Sequence, residues 1–251
     1  MLSKKTIRYV RQLHLKKFRE EQQLFIIEGD KSCLELLHSL LVTREVFATA
    51  SWLEQNAEKL KGRTCYQVSE KEMERISCLT TPQDVLAVAE FPVFSLDDLD
   101  SEQPLLVLDN LRDPGNLGTI IRTADWFGFR QILCTETCVE FTNPKTIQST
   151  MGSFSRVKIV YANPVTYLSE VKGRNIFGMA MEGESIAGSP FNANDIFVIG
   201  SESHGISLEI NSMIKTYLHI PCYVNGNNRA ESLNASIAAA VLMYDFRRKR
   251  E

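Results

Sequence analysis

Unbroken apolar runs mark the chain at residues 24–27, 85–89, 105–108 and 196–199, each soon followed by glycine, amide or acidic side chains. Runs without polar alternation are what strands covered on both faces require. In the first half, residues 24–29, 46–49, 65–68 and 85–89 read as strands. Helical spacing over 30–41 and 51–60 separates them, as does a helix through Ile76 that Ser69 and Glu72 open as a capping box. Residues 5–19 set Ile7, Val10, Leu13 and Phe18 among basic residues, which predicts one amphipathic helix.

The second half opens with the strand 105–108, and a helix after Gly118 places Ile120, Ile121, Ala124 and Phe127 inward, leaves Arg122 off that face and stops at Gly128. A strand at 132–134, a helical turn at 144–151, a strand at 157–160, a helix over 164–171 and strands at 175–180 and 196–199 follow. A helix from Ser207 and a terminal helix from Leu233 complete the pattern. The terminal helix has a large face, Leu233, Ile237, Val241 and Tyr244, and a small one, Ala235, Ala238, Ala239 and Ala240, suited to close approach of a neighbouring backbone. Strands alternating with helices make both halves α/β. Residues 91–104, with two prolines and an acidic run, read as a linker between domains at 1–90 and 105–251.

Composition narrows the picture. A chain of 251 residues that is 44% hydrophobic can bury a sizeable core, and its net charge of −3 gives no global attraction to nucleic acid. Any such binding rests on local clusters: Lys4, Lys5, Arg8, Arg11, Lys16, Lys17 and Arg19 near the start, and Arg247, Arg248, Lys249 and Arg250 at the end. Solvated helix faces account for either cluster equally well. The six cysteines show no CxxC and no zinc spacing, so no metal is expected and buried thiols in a reducing compartment are the reading. With no signal-length apolar segment and no membrane-length run, the expected location is the cytoplasm, with no membrane partner.

The chemistry has to lie in the loops that end the buried strands. There is no GxGxxG fingerprint, P-loop, GxSxG elbow or HExxH pair, which counts against dehydrogenases, nucleotidases and common hydrolases. Residues 109–118 (Asp-Asn-Leu-Arg-Asp-Pro-Gly-Asn-Leu-Gly), 200–205 (Gly-Ser-Glu-Ser-His-Gly) and the entry to the terminal helix, with Glu231, Ser232 and Asn234, all mix glycine, amide and carboxylate. Helix capping explains one polar residue at that entry more readily than three.

In order, spacing and residue type, these three stretches resemble the signature motifs of the SpoU (TrmH) family of RNA ribose methyltransferases, in the SPOUT superfamily. Residues 25–29 and 81–88 resemble the substrate-binding module that precedes the catalytic domain in many members. The resemblance implies a C-terminal parallel-sheet SPOUT domain with a deep trefoil knot, after a small N-terminal α/β substrate-binding domain. It implies S-adenosylmethionine as cofactor and methylation of a ribose 2′-hydroxyl in RNA, ribosomal rather than transfer RNA, by a homodimer formed through the C-terminal domain. The catalytic positions carried over are Asn116, Arg122, Glu202, Ser232 and Asn234, and the cofactor-binding positions Gly200, Ile220 and Leu233. Arg122 positions phosphate or removes the hydroxyl proton; a free guanidinium is a poor base because its pKa exceeds ~12. Two departures stand out: His204 in the second motif, and a longer turn over residues 223–229. The alternative is a catalytically weak RNA-binding or ribosome-assembly protein on the same scaffold.

Overall fold

The computed structural model describes residues 1–224 and 230–249. The longer turn singled out above therefore falls largely outside the described residues, as does Arg250. The chain forms two compact units, one of residues 1–93 with 140–155, the other of 94–139 with 156–251.

In the first unit a mixed four-stranded sheet has the order β1-β4-β2-β3, with β1 Leu24–Glu28, β2 Thr43–Ala48, β3 Cys65–Gln67 and β4 Val85–Glu90. The single expected N-terminal helix is two: α1 Lys4–Gln12, capped by Ser3, and α2 Lys16–Gln22. The break lies at residues 13–15, where Leu13 turns fully into the core beside Val10, Ile26, Phe47 and Leu86. Helices α3 (Asp30–His38), α4 (Ala50–Gln55) and α5 (Glu70–Ile76) connect the strands, and Ser69 and Glu72 form the expected capping box. Helix α7 (Pro144–Thr150) belongs to this unit although the sequence reading put it in the second domain. Its segment is anchored by an ion pair from Glu140 to the buried Arg19 and by edge contacts of Phe25 with Phe141 and Phe154.

The second unit is a six-stranded sheet of order β10-β8-β9-β5-β6-β7, parallel throughout. Its strands are β5 Leu105–Leu108, β6 Gln131–Cys134, β7 Lys158–Tyr161, β8 Ile176–Ser185, β9 Ile196–Ile199 and β10 Thr216–His219. The central strands β5, β6 and β9 are buried at every position, as the unbroken apolar sequences of β5 and β9 require; in β6 the buried Gln131 side chain is satisfied by the Asp100 carbonyl. Sequence reasoning missed β10, a short half-buried edge strand. Helices α6 (Pro114–Trp126), α8 (Pro164–Glu170), α9 (Leu208–Asn211) and α10 (Ala235–Arg248) cover the sheet. The core includes Phe129, Phe177 and Phe246 in ring contact with Phe197, and the half-buried Phe191 packs against Phe197 from the edge of this group.

Strand order locates the site. From β5 the chain steps outward to β6 and β7, then returns to fill the opposite side with β9 next to β5. The order reverses between these two strands, so the loops after their C-terminal ends, residues 109–113 and 200–207, open a crevice of the kind that binds ligands in parallel α/β sheets.

Candidate active site

At the end of β5, Asp109 is buried and its Oδ2 accepts from the Ser207 backbone N–H at 2.7 Å, tying the first loop to the second. The chain then enters α6 five residues before the expected start. Asp113 is the N-cap, with its Oδ1 2.7 Å from the Asn116 N–H, and Pro114 follows at the first helical position. With that capping role filled by Asp113, the Asn116 side chain is free for other partners.

Those partners are Glu202 and Asn234. Asn116 Nδ2 donates to Glu202 Oε1 at 2.6 Å, and Asn234 Nδ2 donates to Asn116 Oδ1 at 3.0 Å. Asn234 Oδ1 in turn accepts from the Ser236 N–H at 2.9 Å, capping α10. The polarity of this relay is fixed from both ends. A backbone N–H can only donate and an ionised carboxylate can only accept, so each amide has one orientation open to it. The relay ends on the carboxylate, beside the N-terminus of α10, where negative charge is favoured and where the Ala235 N–H approaches Glu202 Oε1 at 3.5 Å.

Glu202 also belongs to a cavity of about 500 Å³ lined by Gly200, Ser201, Gly205, Ile206, Ile220, Ser232 and Leu233, with Met179, Met181, Asn211 and Tyr217 on other walls. Its lining is mainly apolar with a few polar groups, and its size suits a nucleoside-sized molecule. Gly200 fits the second loop to this wall. A Cβ there would lie 2.2 Å from the Gly205 carbonyl carbon, and Ser201 and Gly205 close the loop by exchanging backbone hydrogen bonds at 3.0 and 2.9 Å.

Of the sequence-derived candidates, Asn116, Glu202 and Asn234 are thus joined by hydrogen bonds, while Ser232, Gly200, Ile220 and Leu233 line the cavity that Glu202 shares. Arg122 stands apart on the outer face of α6, exposed, with no ion pair among the described residues. His204 is exposed, its Nδ1 2.7 Å from Ser203 Oγ. Sequence reasoning missed Asp109, whose place directly after a buried strand was the available signal, and the cavity walls around residues 179–181 and at Asn211 and Tyr217, which carried none. The basic clusters divide as well. Arg19 is buried and paired with Glu140, and Arg247 donates to the Gly128 carbonyl, while Arg248 and Lys249 pair with Asp245. Lys4, Lys5, Arg8 and Arg11 remain exposed along α1.

A parallel α/β domain with a nucleoside-sized cavity at its strand reversal, bordered by a fixed carboxylate and amides, defines a site for a small ligand of mixed polarity. Comparison with known proteins narrows this. Residues 103–244 match the SpoU rRNA Methylase family, and residues 4–87 match the MRM3-like substrate binding domain. The chain is 31% identical to the 23S rRNA (guanosine(2553)-2′-O)-methyltransferase RlmP of Bacillus subtilis, over 94% of each protein. It is similar in structure to a TrmH-family protein from Porphyromonas gingivalis, with a TM-score of 0.88 and 34% identity over 99% of both chains. The AdoMet-bound rRNA methyltransferase of Sinorhizobium meliloti gives a TM-score of 0.88 and 27% identity over 99% of this chain and 96% of its own. The chain belongs to the SpoU rRNA methylase family.

Proposed function

We propose that the cavity and the Asn116–Glu202–Asn234 relay form the active site of an S-adenosylmethionine-dependent RNA methyltransferase that modifies a ribose 2′-hydroxyl, in ribosomal rather than transfer RNA. The observation that carries this reading is Glu202, which lines the cavity and closes the relay. S-Adenosylmethionine fits the mixed, mainly apolar lining, with Gly200, Ile220 and Leu233 holding it through backbone and apolar contacts. When bound it supplies an electrophilic methyl group on a sulfonium. The chain's own residues do the rest: Glu202, Asn116 and Asn234 fix the two loops and the start of α10 against each other, Ser232 offers a hydroxyl at the cavity wall, and the exposed Arg122 guanidinium meets an RNA phosphate beside the reacting hydroxyl. Proton removal by Arg122 is the alternative role.

A homodimer through the second unit is part of this reading. The small face of α10 is not its contact surface, because Ala235 and Ala239 are buried in their own domain. The outer face is apolar instead: Ile237 and Tyr244 on α10 are 50% and 56% exposed, and Trp126, one turn beyond Arg122 on α6, is 85% exposed. A second copy covering this face lies beside Arg122, so each active site draws on both chains. The trefoil knot belongs to the same reading, supported by the family. So does a cytoplasmic location, to which six free cysteines are suited; no helix among the described residues is long and apolar enough to cross a membrane. The exposed basic residues of α1 contact the RNA backbone.

The test is methyl transfer from labelled S-adenosylmethionine to ribosomal RNA from cells lacking the gene, with 2′-O-methyl positions mapped by resistance to alkaline cleavage. One new resistant position is expected. Binding of ribosomal RNA with no transfer under single-turnover conditions points instead to an RNA-binding assembly protein.

A further inference from the structure

The first unit holds a cluster of side chains that methyl transfer does not use. One ring nitrogen of His14, a carboxylate oxygen of Glu28 and Cys78 Sγ lie within 4.8 Å of one another. They come from the turn between α1 and α2, the end of β1 and the segment after α5, so no local sequence spacing announces them. Two contacts orient the group. His14 Nε2 lies 2.8 Å from the Ile76 carbonyl, and a proton held there leaves the lone pair on Nδ1, which is buried without a partner. Glu28 Oε1 accepts from the Cys78 N–H at 3.1 Å and from Cys78 Sγ at 2.8 Å, while its other oxygen takes the Ser77 hydroxyl.

We propose that His14, Glu28 and Cys78 form a site for a divalent metal ion of borderline softness, zinc by its nitrogen, oxygen and sulfur donors, which pins the α1–α2 turn to the sheet of the first unit. An imidazole whose second nitrogen donates to a backbone carbonyl is the usual support of a metal ligand. Metal–ligand bonds of ~2.0–2.3 Å place ligand atoms roughly 3.5 Å apart around a tetrahedral ion, so the widest pair here closes by about 1 Å on binding. Cys78 is exposed and can make that movement, and its open side leaves the fourth position to water. Without metal the Cys78 thiol donates to the Glu28 carboxylate at 2.8 Å. Binding breaks the S–H bond, forms a metal–thiolate bond and releases the proton to solvent. The guanidinium of Arg19, donating to the His14 carbonyl at 2.8 Å, adds a positive charge nearby that the two anionic ligands offset.

Full-length protein stripped with chelator and titrated with Co²⁺ tests this. A thiolate-to-cobalt charge-transfer band saturating at one ion per chain is expected, and Zn²⁺ should bleach it. Cys78→Ser and His14→Gln should each weaken Zn²⁺ binding at least about tenfold, as loss of a ligand does, while Cys222→Ser leaves it unchanged. Circular dichroism verifies the fold of each variant. Should His14→Gln not fold, Zn²⁺-dependent protection of Cys78 from alkylation, read peptide by peptide against the exposed Cys222, decides the matter. Absence of the band, Cys78→Ser binding like the wild type, or alkylation of Cys78 indifferent to Zn²⁺ overturns the site and leaves Glu28 as the cap of the turn at Ser77 and Cys78.

Discussion

Asn116 and Glu202, 86 residues apart in sequence, meet through a 2.6 Å hydrogen bond from the Asn116 amide to the Glu202 carboxylate. The bond spans the gap between the β5 and β9 loops where the sheet order reverses. It also turns the Asn116 carbonyl toward Asn234, so one contact sets the polarity of the whole relay.

Asn116→Asp replaces the donor with a second carboxylate facing Glu202. Methyl transfer should fall about 100-fold or more, equivalent to ~2.7 kcal/mol of transition-state stabilisation, with far-ultraviolet circular dichroism unchanged. Single-turnover transfer at saturating cofactor is the measurement. A loss under about fivefold means the bond only trims the loops.

Gly200→Ala puts a methyl group 2.2 Å from the Gly205 carbonyl carbon, where neither partner is a flexible side chain. The second loop must shift away from the cavity wall it forms. Cofactor affinity by calorimetric titration should drop at least about tenfold, roughly 1.4 kcal/mol. Gly188→Ala, which meets nothing within 4 Å, is the control.

Much of this architecture is legible in the chain, for physical reasons. Strands such as Leu105–Leu108 and Ile196–Ile199 are parallel and covered on both faces, so they must be apolar throughout and announce themselves. Strand β10 does not, because an edge strand with three half-buried positions needs no such run. The early start of α6 was encoded in Asp113 followed by Pro114, a cap and a first helical residue in sequence. The break between α1 and α2 was not, since no glycine or proline marks residues 13–15 and tertiary burial of Leu13 decides it. The relay is long-range by construction. Asn234 and Asn116 are 118 residues apart, so physics applied to the local sequence finds three polar residues at three loop ends, and motif resemblance alone joins them. The inward face of α10 was not legible, because small and large apolar stripes are equally compatible with helical spacing. Packing against the sheet chose Ala235, Ala239, Leu242 and Phe246.

Glu72 supplies a pH-dependent prediction in the first unit. Its carboxylate accepts from the Ser69 and Leu2 backbone N–H groups, and these bonds hold it at about 2 against an ordinary 4.5. A carboxyl with a lowered folded pKa stabilises the fold above its unfolded value, and that contribution is lost as pH falls through the folded one. Glu72→Gln should therefore be less stable than the wild type at neutral pH, with the gap narrowing between about pH 4.5 and pH 2. Urea melts across that range check it. The group is exposed, so the gap should be small and sensitive to salt.

The final prediction concerns the outer face of α6 and α10. Trp126 is 85% exposed, and the neighbouring Phe127 packs edge-on against Tyr244 of α10 with ring centroids 6.2 Å apart. Exposed Trp126 at the end of α6 and half-exposed Ile237 and Tyr244 along α10 make this face apolar, of the kind that marks an interaction surface. In the proposed homodimer a second copy of the chain covers it by two-fold symmetry, which sets two equivalent Arg122 side chains into two equivalent composite sites. Trp126→Glu should then shift sedimentation from dimer to monomer and abolish transfer without touching the relay. Arg122→Ala should remain dimeric, bind cofactor like the wild type, and lose at least about 90% of its activity, a cost of ~1.4 kcal/mol or more. Mixing Arg122→Ala chains with Asn234→Ala chains should restore transfer, because in each heterodimer one site receives both intact groups. A monomer with full activity at micromolar concentration, or mixed chains as inactive as their parents, removes the shared site and returns Arg122 to the solvated surface of its own helix.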